Sequence, residues 1–340
     1  MATIDAIRKP ILADLDAFDE FVKENITAEG DLMREMLTYA LSSRGKGVRP
    51  MLTMLCASLM NTTDSTNNEE AGNERHCSKR TYLAAMLVEM IHTASLIHDD
   101  VLDSADERRG RASVNAKWQS NMAIILGDFI LARTMALGMA SAQYDIMSYI
   151  GTAMATLCEG EVLQSQHARN LDTSRDDYFA IIYQKTASLL GVSAALGALS
   201  VGASREDVDR MRKFGEAIGI AFQIQDDILD VWGNPETFGK AVGGDISCNK
   251  KTFVALTAMQ LADSVTYKEL KRWFAQTPID NIEKITAVKT LYEQINTRAK
   301  CEEAVERYTT QALYLLNQLP QNQATEQLRK LADKLNTRQN

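Results

Sequence analysis

Two short stretches could do the same chemistry. "HDDVLD" carries Asp99, Asp100 and Asp103, and "QDDILD" repeats the spacing with Asp226, Asp227 and Asp230 in the other half of the chain. On a helix, residues four apart share a face, so Asp99 projects with Asp103 and Asp226 with Asp230, while Asp100 and Asp227 sit about a quarter turn away. Like charges at that spacing cost about 0.2–0.5 kcal/mol even on an exposed helix, and at a C-terminus they also oppose the helix dipole. A hard cation offsets both penalties. Carboxylate oxygens with no nearby thiolate suit Mg²⁺, which keeps some of its waters and completes its shell with substrate phosphate oxygens. Neither stretch has the loop of an EF-hand.

Cations stand where an anion would need them. Arg108 and Arg109 follow the first cluster in "ERRG", Lys46 and Arg49 lie in "RGKGVRP", Lys185 and Thr186 in "YQKTASLL", and Lys240, Lys250 and Lys251 in "FGKAVGGDISCNKKT". Each alone reads as a surface charge. In the company of the acids they read as partners for phosphate, to which guanidinium forks are well matched.

Helices position these groups. "TYLAAMLVEMIHTASLIHDDVLD", residues 81–103, places apolar side chains at i, i+3, i+4 spacings without Pro or Gly, which predicts one long helix ending in the first cluster. Ser204 with Asp207 forms a capping start for a second helix that runs toward Asp230, and Ser174 with Asp177 gives a similar start. Strand signals are hard to place, so the reading is all-α: a single helical domain over residues 1–340, with a polar surface loop at about 61–80. The uncharged run at 186–204 is rich in Ala, Gly and Ser, which favours a buried core helix over a membrane span.

Composition narrows the rest. The 340 residues carry a formal net charge of −8, so nucleic acid is not an expected partner. Five scattered cysteines without a C-x-x-C pair read as reduced thiols, and acids at Asp5 and Asp14 make a poor signal peptide. The expected location is cytoplasmic, with no integral membrane segment and at most a transient membrane contact for product release.

Taken in order, "GKGVRP", "HTASLIHDDVLDSADERRG", "QKTA", "FQIQDDILD" and "GKAVGGDISCNKKT" resemble the trans-isoprenyl diphosphate synthases, or polyprenyl synthetases, over nearly the whole chain. The resemblance implies the isoprenoid synthase fold, a helical bundle around a deep central cavity, in a homodimer. Six aspartates, Asp99, Asp100, Asp103, Asp226, Asp227 and Asp230, would hold Mg²⁺. Arg108, Lys185, Thr186, Gln223 and Lys240 match positions that contact an allylic diphosphate, and Lys46, Arg49, His92 and Arg109 match those that bind isopentenyl diphosphate. Asp99, Asp103, Asp226, Asp230, Lys185 and Arg108 would carry the catalysis by stabilising charge on the departing diphosphate. Arg44 departs from the family's usual Gly, His98 matches nothing, and Lys251, inside the K-x-T ending formed by Lys250 and Thr252, is expected to face solvent.

Ala94 and Ser95, one turn before Asp99, are small where short-product members of the family commonly carry an aromatic floor. A growing chain could then pass to Ile91 and beyond, which predicts a product of about six isoprene units or more, of the quinone side-chain kind, with geranylgeranyl or farnesyl length as the alternative. A terpene cyclase is disfavoured because the second "DDILD" is intact. A non-catalytic partner subunit is disfavoured because both acidic motifs are kept.

Overall fold

In the computed structural model, which describes residues 3–42, 45–61, 77–168, 173–234, 242–276 and 282–337, the apolar run ahead of the first aspartates is a 24-residue helix, Lys79–Leu102. Helices α1 (Ile4–Arg8), α2 (Leu12–Asn25), α3 (Asp31–Leu41) and α4 (Val48–Met60) precede it, making it α5. After it come β1 (Glu107–Arg108), β2 (Arg111–Ala112), α6 (Val114–Trp118), α7 (Ser120–Ala140), α8 (Tyr144–Ala168) and α9 (Arg175–Ile182). A π-helical turn over Tyr183–Ala187 then leads into α10 (Ser188–Ser200) and α11 (Arg205–Trp232). The C-terminal part adds α12 (Gly244–Ser247), α13 (Phe253–Leu261), α14 (Ser264–Phe274), α15 (Ile282–Gln294), α16 (Thr297–Leu316) and α17 (Gln323–Thr337).

Local chemistry sets the ends of the two site helices. Ser78 caps α5 by accepting from the Thr81 N–H, and Asp103 takes its C-cap position. Ser204 caps α11 by accepting from the Asp207 N–H, and Ser174 and Asp177 form a reciprocal capping box on α9, as their spacing predicts. Between Tyr82 and Ile97, α5 is buried on nearly every side, because α4, α7 and α10 surround it. The Ala/Gly/Ser-rich α10 is a core helix, almost wholly buried against α4 and α11. At one crossing a Cβ on Gly219 would stand 2.6 Å from the Ala187 Cα, so only glycine permits that approach.

The apolar interior forms two clusters joined through α11. Phe214 and Ile218 belong to the one built from α1–α8, α10, the end of α16 and α17, whereas Ala221, Ile224 and Ile228 belong to the one shared with α9 and α12–α16. The second aspartate cluster therefore rides on a helix anchored at both ends. Asp14, read from the sequence as a terminal acid, is instead fully buried: its Oδ1 accepts from the Tyr82 hydroxyl at 2.7 Å and the Cys77 N–H at 3.0 Å, tying α2 to the start of α5.

Three features differ from the sequence reading. First, β1 and β2 form a small antiparallel hairpin with Arg108 opposite Arg111. Its two-residue turn places Arg109 at φ 56° and Gly110 at φ 73°, a conformation that Asn-Gly or Asp-Gly ordinarily announces. Second, the expected loop at 61–80 is non-helical at Asn61, Cys77 and Ser78, but Lys79 and Arg80 open α5; residues 62–76 lie outside the described residues. Third, α7 and the stretch Arg175–Ser200 are both long and apolar enough to cross a membrane, whereas the uncharged run at 186–204 overlaps only the second. The second is mostly buried, while α7 is largely not.

Candidate active site

The three aspartates of the first cluster are not equivalent. Asp103 is exposed, Asp99 half-buried and Asp100 buried. The hairpin turns Arg108 back over the helix end, where its Nε donates to Asp100 Oδ1 at 2.8 Å and its Nη2 to the same oxygen at 2.5 Å. Asp100 is thus engaged within the protein, and Asp99 and Asp103 present the outward carboxylates.

Lys185 and Thr186 lie in the π-helical turn, a widened coil that the sequence did not reveal and that often marks functional positions. Lys185 Nζ lies 2.5 Å from Glu161 Oε1 on α8. Burial and the nearby Glu161 carboxylate push the Asp99 carboxyl up to about 6, with Lys185 and Arg108 opposing the shift. On its other side the turn reaches α11: Thr186 Oγ1 donates to Gln223 Oε1 at 3.2 Å, and Gln223 Nε2 donates to Asp227 Oδ1 at 3.3 Å. Both aspartate clusters therefore border one turn of backbone.

Asp227, like Asp100, is buried and held by protein donors. Its Oδ2 accepts from the Tyr178 hydroxyl at 2.7 Å and from the Phe253 N–H at 2.8 Å. Burial pushes its carboxyl up to about 7 against these donors. Asp226 and Asp230 are half-buried, and Asp230 Oδ2 accepts from the Asp245 N–H at 3.0 Å. Lys250 pairs with Asp245 at 2.8 Å. Lys251 does not simply face solvent: its ammonium sits 4.3 Å from the Phe274 ring centre, and burial lowers its pKa to about 8.

The remaining cations gather beside α5. Glu89, His92, Asp100, Arg108 and Arg109 line one cavity. Burial, followed by Arg49, Arg109 and Arg108, holds His92 well below its ordinary range, so it is neutral near pH 7. Burial lowers Arg49 to about 10 while Glu89 opposes it, so the guanidinium stays charged. Arg109 lies against Gly45, where a Cβ would fall 2.6 Å from its Cζ and where φ is 66°. The Lys46 side chain is exposed, and its carbonyl accepts from Arg8.

His98 turns away toward α7, 3.5 Å from Asp128. Ala94 and Ile91 are shut in the core, whereas Ser95 is half-buried with its hydroxyl donating to the His92 carbonyl at 2.9 Å. Lys240 and Arg44 lie outside the described residues. Sequence reading missed Glu89, Glu161, Tyr178 and Asp245, because each meets the site through tertiary contact rather than through spacing.

Asp99 supplies a test of this crowding. Its folded-state pKa of about 6 lies above the ordinary carboxylate value of 3.8, so its contribution to stability is intact below about pH 4 and is lost as pH rises through 6. Asp99→Asn is expected to raise the melting temperature by about 2 °C at pH 7.5, about 1 kcal/mol after solvent screening, and to leave it unchanged at pH 4. Differential scanning calorimetry at the two pH values checks this, and a lower melting temperature at pH 7.5 would contradict the crowding.

Two carboxylate-ended helices flank a turn that carries Lys185, with further arginines alongside, in an almost entirely helical protein. A family model described as Polyprenyl synthetase matches residues 30–295. The chain belongs to the polyprenyl synthetase family and is a trans-prenyltransferase. An all-trans-nonaprenyl-diphosphate synthase (geranyl-diphosphate specific) of Rhodobacter capsulatus is 32% identical over 96% of each chain. Among solved structures, a geranylgeranyl pyrophosphate synthase superposes with a TM-score of 0.86 at 30% identity over 100% of both chains. A polyprenyl synthase from Caulobacter crescentus, complexed with calcium and isoprenyl diphosphate, gives 0.83 at 26% identity over 99% of this chain and 98% of its own.

Proposed function

We propose that the chain joins isopentenyl diphosphate to an allylic diphosphate with Mg²⁺ and repeats the addition to a long all-trans product. The observation that carries this reading is that both aspartate clusters border the turn that holds Lys185, Asp99 lying near Lys185 and Asp227 linked to Thr186 through Gln223. Mg²⁺ fits the donors: all are carboxylate oxygens, and a cation would favour the charged form of Asp99, which burial and then the Glu161 carboxylate disfavour. Mg²⁺ usually takes one or two protein carboxylates and draws its other ligands from diphosphate and water. When bound, the metal supplies charge stabilisation to the leaving diphosphate.

The protein's own groups do the rest. Lys185 exchanges Glu161 for a phosphate oxygen, and Arg108 contributes positive charge while anchoring Asp100. Arg49, Arg109 and Lys46 take the second diphosphate, with neutral His92 beside them. The allylic C–O bond breaks toward a carbocation, the isopentenyl alkene adds to it, and loss of a proton restores an allylic diphosphate five carbons longer; the released diphosphate serves as base. The test is pyrophosphate release with and without Mg²⁺, followed by chromatography of products from labelled isopentenyl diphosphate and several primers. Release that ignores the metal, or no chain extension with any primer, would overturn the proposal.

The working form in this reading is a homodimer in the cytoplasm, each copy a single domain. Ile124, Ile125, Met135 and Met139 leave an exposed apolar surface along α7, and a second copy is the occupant that the reading supports. Ile125→Glu combined with Met139→Glu is expected to yield monomers in light scattering coupled to size-exclusion chromatography. An unchanged mass would place the interface elsewhere.

A further inference from the structure

The node around Asp227 binds together groups from four elements. Tyr178 of α9 and the first N–H of α13, from Phe253, both donate to Oδ2, while Gln223, one turn earlier on α11, donates to Oδ1. Tyr178 and Asp227 are 6% and 5% exposed, so water does not compete freely for these bonds. With one oxygen filled by two donors, the other is left as the acceptor for Gln223. That choice fixes which way the Gln223 amide points, since turning it over would set its carbonyl against a carboxylate oxygen. In the observed orientation the Gln223 carbonyl accepts from Thr186, and one N–H of its amide nitrogen remains beyond the bond to Asp227.

We propose that Tyr178 is a positioning residue: through Asp227 it locks the Gln223 amide so that this side chain offers an N–H, not a carbonyl, to the allylic diphosphate. An ionised diphosphate only accepts hydrogen bonds, so a turned amide would replace attraction with repulsion at the same place. The inference rests on the proposed function. It also assigns Asp227 to the protein's own framework and leaves ion binding to Asp226 and Asp230.

Tyr178→Phe keeps the ring and removes one oxygen. It is expected to raise the KM for the allylic substrate about 5- to 20-fold and to leave the KM for isopentenyl diphosphate and the Mg²⁺ concentration for half-activation unchanged. Calorimetry with farnesyl thiodiphosphate, a substrate analogue that does not turn over, should show the same loss of affinity. Combined with Gln223→Ala, the loss should be no greater than that of Gln223→Ala alone, because both act on one contact. Asp227→Asn, which keeps an acceptor for Tyr178 and Phe253 but turns an amide nitrogen toward Gln223, should reproduce the allylic defect even if Tyr178→Phe folds poorly.

Additive losses, equal rises in both KM values, a shift confined to Mg²⁺ half-activation, or parental allylic KM in Asp227→Asn would each overturn the inference while leaving the functional reading in place. A parent chain without prenyl transfer would overturn both.

Discussion

Asp99→Ala and Asp226→Ala are each expected to lower turnover by about two to three orders of magnitude, the loss seen when one preorganised group that stabilises leaving-group charge is removed. The structure sharpens the reason. Asp99 is half-buried, as are Asp226 and Asp230, whereas Asp100 and Asp227 are buried and held by Arg108 and Tyr178. In the proposed function Asp99 and Asp226 are the carboxylates that share a cation with the diphosphate. Raising Mg²⁺ should recover part of the activity of either variant, since the phosphate oxygens still supply ligands. Steady-state rates across a Mg²⁺ titration decide the matter, and near-parental turnover in either variant would remove that cluster from the chemistry.

The second large effect is on product length. Placing an aromatic ring one turn before Asp99 is expected to cut the product from six or more isoprene units to about three or four while the first condensation continues, because each helical turn spans about 5.4 Å of depth. Ser95→Phe should act more cleanly than Ala94→Phe. Ser95 is half-buried, whereas Ala94 is wholly enclosed, so a ring at Ala94 also overpacks the core at a cost of about 1–3 kcal/mol. Thin-layer separation of the dephosphorylated products measures the distribution. A parental distribution from Ser95→Phe, or a parent that itself stops at fifteen carbons, would remove this helix from control of chain length.

Features that depend on neighbours along the chain were legible in the sequence. The i, i+4 aspartates, the Ser204 and Ser174 caps and the enclosed Ala/Gly/Ser-rich helix all follow from periodicity and local hydrogen bonding, and each is present. What the sequence could not show depends on contacts between distant elements. Glu161 looks like an ordinary helix acid until α8 brings it to Lys185, and Glu89 looks like a heptad polar residue until the hairpin sets Arg109 over the same cavity. The hairpin was hidden because Arg-Gly occupies a turn that other dipeptides usually announce. The inequality within each aspartate triplet was hidden too, since equal spacing gives no hint that the middle carboxylate is taken by a partner 8 residues downstream in one case and 49 residues upstream in the other.

The π-helical turn at Tyr183–Ala187 has a consequence for how this segment tolerates change. A π turn holds an extra residue relative to the α-helices on either side. Deleting one residue there would let the α ladder run through unbroken with the flanking helices nearly in place, since the wider turn already absorbs the extra residue, and the change would fall on the turn itself. That turn is where Lys185 faces α8 and Thr186 faces α11, so the positions lost or moved are the ones that meet both helices. In this stretch, therefore, length is constrained as tightly as residue type, and a substitution that preserves the count is milder than a deletion that preserves the chemistry.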